Sequence, residues 1–196
     1  MKNQLVKLSI ISMCTLGVLM TISHAKASHK NEMLLINFNA STTPWQNIDD
    51  VVMGGISSSQ MEIHKDKATF KGNLSLENNG GFASIRSADL TQELEGFDGL
   101  LLRVKGDGKS YQFRLRDKSY NRHNYSLRFK TNKDKWTLIK LPFTQFVAGY
   151  RGRNLDSYPA IKSNDIRALG LMLTDKQEGK FSLEIDWIKA YKNETV

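Results

Sequence analysis

Apolar and polar residues alternate along most of this chain, and that alternation limits what it can fold into. Met61 and Ile63 interleave with Glu62 and His64; Ala68, Phe70 and Gly72 interleave with Lys67, Thr69 and Lys71. Further on, Tyr111, Phe113 and Leu115 oppose Gln112, Arg114 and Arg116, and Tyr125, Leu127 and Phe129 oppose Ser126, Arg128 and Lys130. Period two is the signature of a half-buried strand. Shorter apolar runs at 33–38, 82–86, 99–105, 136–141, 167–174 and 180–191 add strands, the last two read as a closing hairpin. Segments 87–95 and 151–164 read as irregular, and 143–150 as holding a short helical turn. No long helical period and no internal repeat is present. About ten short strands separated by turn residues imply an all-β fold, an antiparallel β-sandwich or jelly roll spanning 33–192.

The first 27 residues are set apart. Lys2 and Lys7 precede an apolar run at 8–22, and small residues follow at Ser23, Ala25 and Ala27. This is the order of a secretory signal peptide, with cleavage after Ala25 or Ala27, and the run is short for a membrane span. The polar stretch 28–32 reads as a disordered lead-in. The single cysteine, Cys14, lies inside the signal, so the processed chain forms no disulfide and depends on its core. Those features predict a periplasmic or secreted protein with no transmembrane span after cleavage. Loss of Lys2, Lys7 and Lys26 leaves 25 basic against 20 acidic residues, a net charge of +5. That balance favours anionic partners without requiring nucleic acid, and none is expected.

One stretch breaks the alternation. Residues 45–59 read WQNIDDVVMGGISSS, with an acidic pair, a short apolar run and a glycine doublet; a second doublet follows in NNGGFASIR at 78–86. A glycine doublet marks a tight turn or a close approach of the backbone. A second feature is a row of cations of one parity: Arg103 and Lys105, Arg114 and Arg116, Arg128 and Lys130. On neighbouring strands they would share a face and repel. Asp49, Asp50 or Asp107 would compensate them in a structural network; otherwise the face is solvated or takes an anionic ligand. Trp45 and Tyr150, read as loop residues, are candidates for stacking on a sugar ring, while Trp136 and Trp187 read as core.

Catalytic chemistry finds little footing. His29, His64 and His123 lack companions at metal-ligand spacing, no cysteine survives processing, and Ser57–Ser59 are not in a nucleophile elbow. No phosphate loop or dinucleotide fingerprint occurs. The chain is therefore read as non-enzymatic, with no cofactor and no metal.

The ordered motifs resemble a known family. Trp45, then Asp50-Val51-Val52-Met53-Gly54-Gly55-Ile56-Ser57, resembles the W…D-x-V-M-G-G-x-S signature of the CIA30 (complex I intermediate-associated protein 30) proteins. Phe70-Lys71-Gly72, Asn79-Gly80-Gly81-Phe82-Ala83-Ser84-Ile85-Arg86, Gly106-Asp107-Gly108, and Trp136 with Leu141-Pro142-Phe143 resemble its later pieces. The resemblance implies a galactose-binding-like sandwich and, by analogy with mitochondrial members, a chaperone-like role in assembling respiratory complex I. The expectation is a non-catalytic periplasmic binding or assembly factor that holds a protein partner, such as a membrane complex in assembly. The alternative is a carbohydrate-binding module whose partner is a glycan; an enzyme acting on cell-wall sugars ranks third. The expected surface comprises Trp45, Asp50, Met53, Gly54, Gly55, Asn79, Gly80, Gly81, Phe82 and Arg86. An Asp50–Arg86 ion pair would lock its two loops, unless the set is a buried structural cluster.

Overall fold

The computed structural model describes residues 31–38, 43–119 and 122–194. The expected signal segment, and the lead-in as far as residue 30, lie outside the described residues. Among the described residues there are thirteen strands: β1 (Glu32–Asn37), β2 (Trp45–Asn47), β3 (Ser58–His64), β4 (Lys67–Leu74), β5 (Ala83–Ser87), β6 (Gly99–Lys105), β7 (Ser110–Asp117), β8 (Asn124–Lys130), β9 (Trp136–Pro142), β10 (Val147–Tyr150), β11 (Arg153–Asn154), β12 (Ile166–Leu173) and β13 (Gly179–Tyr191). They form two antiparallel sheets. One runs β3-β4-β13-β6-β9 with β1 also on β13; the other runs β11-β10-β8-β7-β12-β5-β2. The excess over ten comes from pieces such as β2 and β11, too short to show an alternation of their own.

β13 is the spine of the first sheet. Its first half pairs with β4, its second half with β1, and β6 runs along its other side. The alternation places Phe70, Leu102, Val104, Leu183 and Ile185 on one inner face and Ile85, Phe113, Leu115, Leu169 and Leu171 on the other, all buried. Interdigitation of two such faces is the core of a sandwich. Phe70 meets Phe181 edge-on at 4.9 Å between ring centroids and reaches across to Tyr111 at 6.4 Å.

Three sequence expectations fail here. β12 and β13 are not a hairpin: β12 pairs with β5 and β7, so the chain crosses between sheets at residues 174–178. Both strands carry apolar inner faces, which can pack against each other only from opposite sheets. The cation row is also divided. β6 lies in the first sheet, where Arg103 pairs with Asp186 and Lys105 with Glu184 at 2.6 Å. Trp136 and Trp187 lie partly exposed beneath cations, Arg103 at 4.8 Å from one and Lys189 at 4.5 Å from the other, rather than in the core. β7 and β8 are neighbours in the second sheet, where Arg114 stands opposite Ser126.

Candidate functional site

The stretch that breaks the alternation closes one rim of the sandwich. Asp50–Met53 form a 3-10 turn that ends at Gly54, whose φ of +92° suits glycine. The amide of Gly55 then donates to the Asp50 carbonyl at 3.0 Å, folding the loop back over its own start. Inside that turn the Asp50 carboxylate is fully buried. It accepts the Ser57 amide at 2.9 Å, the Ser57 hydroxyl at 2.6 Å, the Gly81 amide at 2.7 Å and the Phe82 amide at 3.2 Å. Burial works to raise its pKa, but the Ser57 hydroxyl and the Gly81, Ser57 and Phe82 amides outweigh burial and hold it below the usual value.

The two doublets therefore meet at one carboxylate. In each, one glycine takes a positive φ, Gly54 at +92° and Gly81 at +140°. The other lies against Asp50: a Cβ on Gly80 would fall 2.7 Å from Oδ2, and one on Gly55 would overlap the same carboxylate. Asp49 forms a second clasp beside the first. It accepts the Ser59 amide at 2.8 Å, the Ser59 hydroxyl at 2.6 Å and the Ser84 amide at 2.9 Å. Ser59 belongs to β3 and Ser84 to β5, so Asp49 ties the two sheets together. Buried carboxylates with several donors are rigid anchors, because an unmade bond there is expensive.

What the clasps hold outward is apolar. Val51, Val52 and Met53 are 61%, 71% and 61% exposed, Ile56 is half exposed, and Leu76 beside the second doublet is also exposed. These five are half of the ten large exposed hydrophobic residues among the described residues, gathered on one rim. Scattered apolar exposure needs no explanation, but a group does.

The expected surface is thus brought together in part. Asp50, Gly54, Gly55, Gly80, Gly81 and the backbone of Phe82 form the clasp, Met53 stands outside it, and Asn79 is an exposed residue at φ +59° in the turn leading to Gly80. The Asp50–Arg86 ion pair is absent: Asp50 is satisfied by hydroxyl and amide donors, and Arg86 sits on β5 opposite Gly170. Trp45 is not a loop aromatic; it belongs to β2, pairs with Ser87 and packs against the core. Tyr150 likewise lies in β10. Asp49, Ser57, Ser59, Val51, Val52 and Ile56 were missed as members. The signal was available: two adjacent acids followed by a run of three serines, of which Ser57 and Ser59 share one parity and each takes one acid.

The acids expected to neutralise the cation row are committed elsewhere. Asp107, like Asp49 and Asp50, accepts backbone amides, from Lys109 at 3.0 Å and Ser182 at 3.0 Å. A second groove of about 630 Å³ lies over the β3–β4–β13 end, lined by polar residues such as Gln60, Lys71, Asn73 and Asp107 together with Phe181. His123 is buried against Asp117 at 3.1 Å and Tyr158. Among the described residues no cluster of three or more metal-ligating side chains occurs, and no helix is long and apolar enough to cross a membrane.

Comparison with solved structures agrees with this architecture. A family 11 carbohydrate-binding module from Clostridium thermocellum, solved with a β-1,3-1,4-mixed-linked tetrasaccharide, superposes with a TM-score of 0.66 at 15% identity, over 85% of this chain and 98% of that one. The agarase AgWH50C superposes with a TM-score of 0.58 at 12% identity, over 85% of this chain and 25% of its own. At such identities the likeness is one of fold. Among curated relatives, a Caenorhabditis elegans protein named probable complex I intermediate-associated protein 30, mitochondrial, is 29% identical over 68% of this chain and 46% of its own length. The Mus musculus protein named complex I intermediate-associated protein 30, mitochondrial, is 30% identical over 57% of this chain and 34% of its own. The chain thus spans less than half the length of these relatives. The family profile described as Complex I intermediate-associated protein 30 matches residues 36–185, a span holding both glycine doublets and most of both sheets, and the chain belongs to the CIA30 family.

Proposed function

We propose that this chain is a non-catalytic binding and assembly factor that holds a protein partner on the apolar rim presented by the Asp49 and Asp50 clasps. The observation that carries the reading is the 3-10 turn itself. Three consecutive apolar side chains point outward from a segment whose base is fixed by two buried carboxylates. A rigid, preformed apolar projection loses little entropy on docking, which favours a protein partner. The naming of the relatives after an assembly intermediate of complex I supports the same reading, with a membrane complex in assembly as the partner class. The secretory pattern of residues 1–27 supports a periplasmic or extracellular setting for this activity. The test is capture from native cells by the full chain and by Val52→Ser and Met53→Ser variants. The expected result is one partner, identified by mass spectrometry, lost from both variants; equal capture by all three chains contradicts the reading.

A second reading rests on the groove over β3, β4 and β13. Its amide, hydroxyl and ammonium groups suit the hydroxyls of a glycan, and the sandwich is that of carbohydrate-binding modules. Calorimetric titration with mixed-linkage glucan separates the two. Saturable binding lost in Asn73→Ala supports the glycan reading, and no heat counts against it.

A further inference from the structure

The outer face of the second sheet carries a cationic trough. Gly170 on β12 stands directly between Arg86 on β5 and Arg114 on β7 in one row of the antiparallel register. The next outward position on β12 is Ala168, opposite Arg116. With glycine at this position no β12 side chain stands between Arg86 and Arg114, and the outward β12 residues on either side of it are Ala168 and Met172. Their Cα atoms straddle β12 at roughly 10 Å, twice the strand spacing, and both arginines line one small cavity with Gly170. The floor is closed, since a Cβ at Gly170 would fall 2.8 Å from the Ile85 carbonyl.

Nothing acidic among the described residues balances Arg86 or Arg114. The charges that act on Arg114 are Arg86 and Arg116, and those acting on Arg86 are Arg116 and Arg167. Burial, then these like charges, push the Arg114 guanidinium down to about 10. Its Nε is buried with no hydrogen-bond partner, and its Nη1 donates only to the Met172 sulfur at 3.3 Å, a weak acceptor. Arg167, at the margin, is already paired with Asp89. Unbalanced arginines over a closed polar floor are arranged as for a bidentate oxyanion.

The geometry points to a carboxylate-binding site formed by Arg86 and Arg114 over Gly170, occupied by an acidic segment of the protein partner. This rests on the reading of the apolar rim as a protein-docking surface, and it adds the partner's chemistry. The link is Arg86, which also lines a cavity of about 580 Å³ with Val51 and Val52. One continuous surface thus runs from the apolar turn through Arg86 to Arg114. A peptide bearing Asp or Glu beside aliphatic side chains matches both ends; an acidic polysaccharide has the carboxylates but not the aliphatic groups.

The experiment is fluorescence anisotropy of the full chain with a labelled peptide of alternating Glu and Leu, and with its Gln and Leu counterpart. The Glu peptide is expected to bind at least tenfold more tightly, to weaken as salt rises from 50 to 500 mM, and to lose about tenfold or more in Arg86→Gln/Arg114→Gln. That double variant, relieved of like-charge repulsion, is expected to unfold at the same urea concentration as the parent or a higher one. A lower midpoint means that the arginines serve the fold, and overturns the site. Equal binding of the two peptides overturns it, as does tighter binding of polygalacturonate or complete displacement of the peptide by 1 mM inorganic phosphate. A partner that needs Val52 and Met53 but is indifferent to the arginines leaves the apolar rim standing and removes this site alone.

Discussion

The Oδ2 atom of Asp50 accepts the amide of Gly81 at 2.7 Å, joining two loops 31 residues apart in sequence. The bond is short because Gly80 has no Cβ to hold the loops apart, and it is directed because Gly81 takes a φ of +140°. Everything proposed for the rim depends on that junction. Removing the carboxylate in Asp50→Ala strands the amides of Ser57, Gly81 and Phe82 and leaves the Ser57 hydroxyl only the Ser75 carbonyl at 3.2 Å as acceptor. The expected cost is about 3–5 kcal/mol, read as a lower urea midpoint with an unchanged slope.

The two kinds of glycine should respond differently. Gly55→Ala and Gly80→Ala must displace the Asp50 carboxylate, at a cost of roughly 2–3 kcal/mol by analogy with overpacked cores. Gly152 has a φ of +77° but open space around it, so Gly152→Ala should cost only about 1 kcal/mol of backbone strain. Losses at Gly55 and Gly80 no larger than at Gly152 would show that close packing against Asp50 is not what requires glycine at those two positions.

Acid should loosen the rim through Asp50. Its carboxyl is held below the ordinary value when folded, so it binds a proton less readily there than in the unfolded chain. Its stabilising contribution is complete above the unfolded value of about 3.9 and is lost as pH falls through the folded value. Stability of the parent measured from pH 6 down to pH 2 should fall more steeply than that of Asp50→Asn, which has no carboxylate to titrate. Parallel curves would assign the acid sensitivity to other groups.

The exposed turn should be separable from the fold. Val52→Ser and Met53→Ser change residues more than half exposed and should shift stability by no more than about 0.5 kcal/mol in urea unfolding. A loss of more than about 1 kcal/mol would mean that these side chains pack in the folded chain rather than await a partner.

The strands were legible because alternation is local. Phe70 and Phe113 announce a buried face within five residues, whatever the rest of the chain does. Pairing was less so: residues 167–191 read as a hairpin, yet β12 and β13 lie in different sheets, because only the opposing layer shows which apolar face each strand meets. The candidate site followed the same rule. Both doublets stood out in the sequence, and their meeting at Asp50 matches the expectation that backbone is closely approached there. Arg86 looked like the partner of Asp50 because opposite charges suggest a pair. The carboxylate is instead saturated by Ser57, Gly81 and Phe82, and amide donors leave no mark in a sequence. Trp45 misled for a related reason, since a three-residue strand is too short to show which way its side chains face.

The central claim is that the clasped turn grips a protein. It is tested most directly by placing a photo-crosslinking amino acid at Val52 in the full chain, in native cells, with Arg153 on the exposed β11 strand as control. The account predicts one discrete protein adduct from position 52 and none from position 153, with the position-52 adduct abolished by Met53→Ser. Adducts that are the same from both positions, or none from position 52 while the chain binds mixed-linkage glucan, would contradict it.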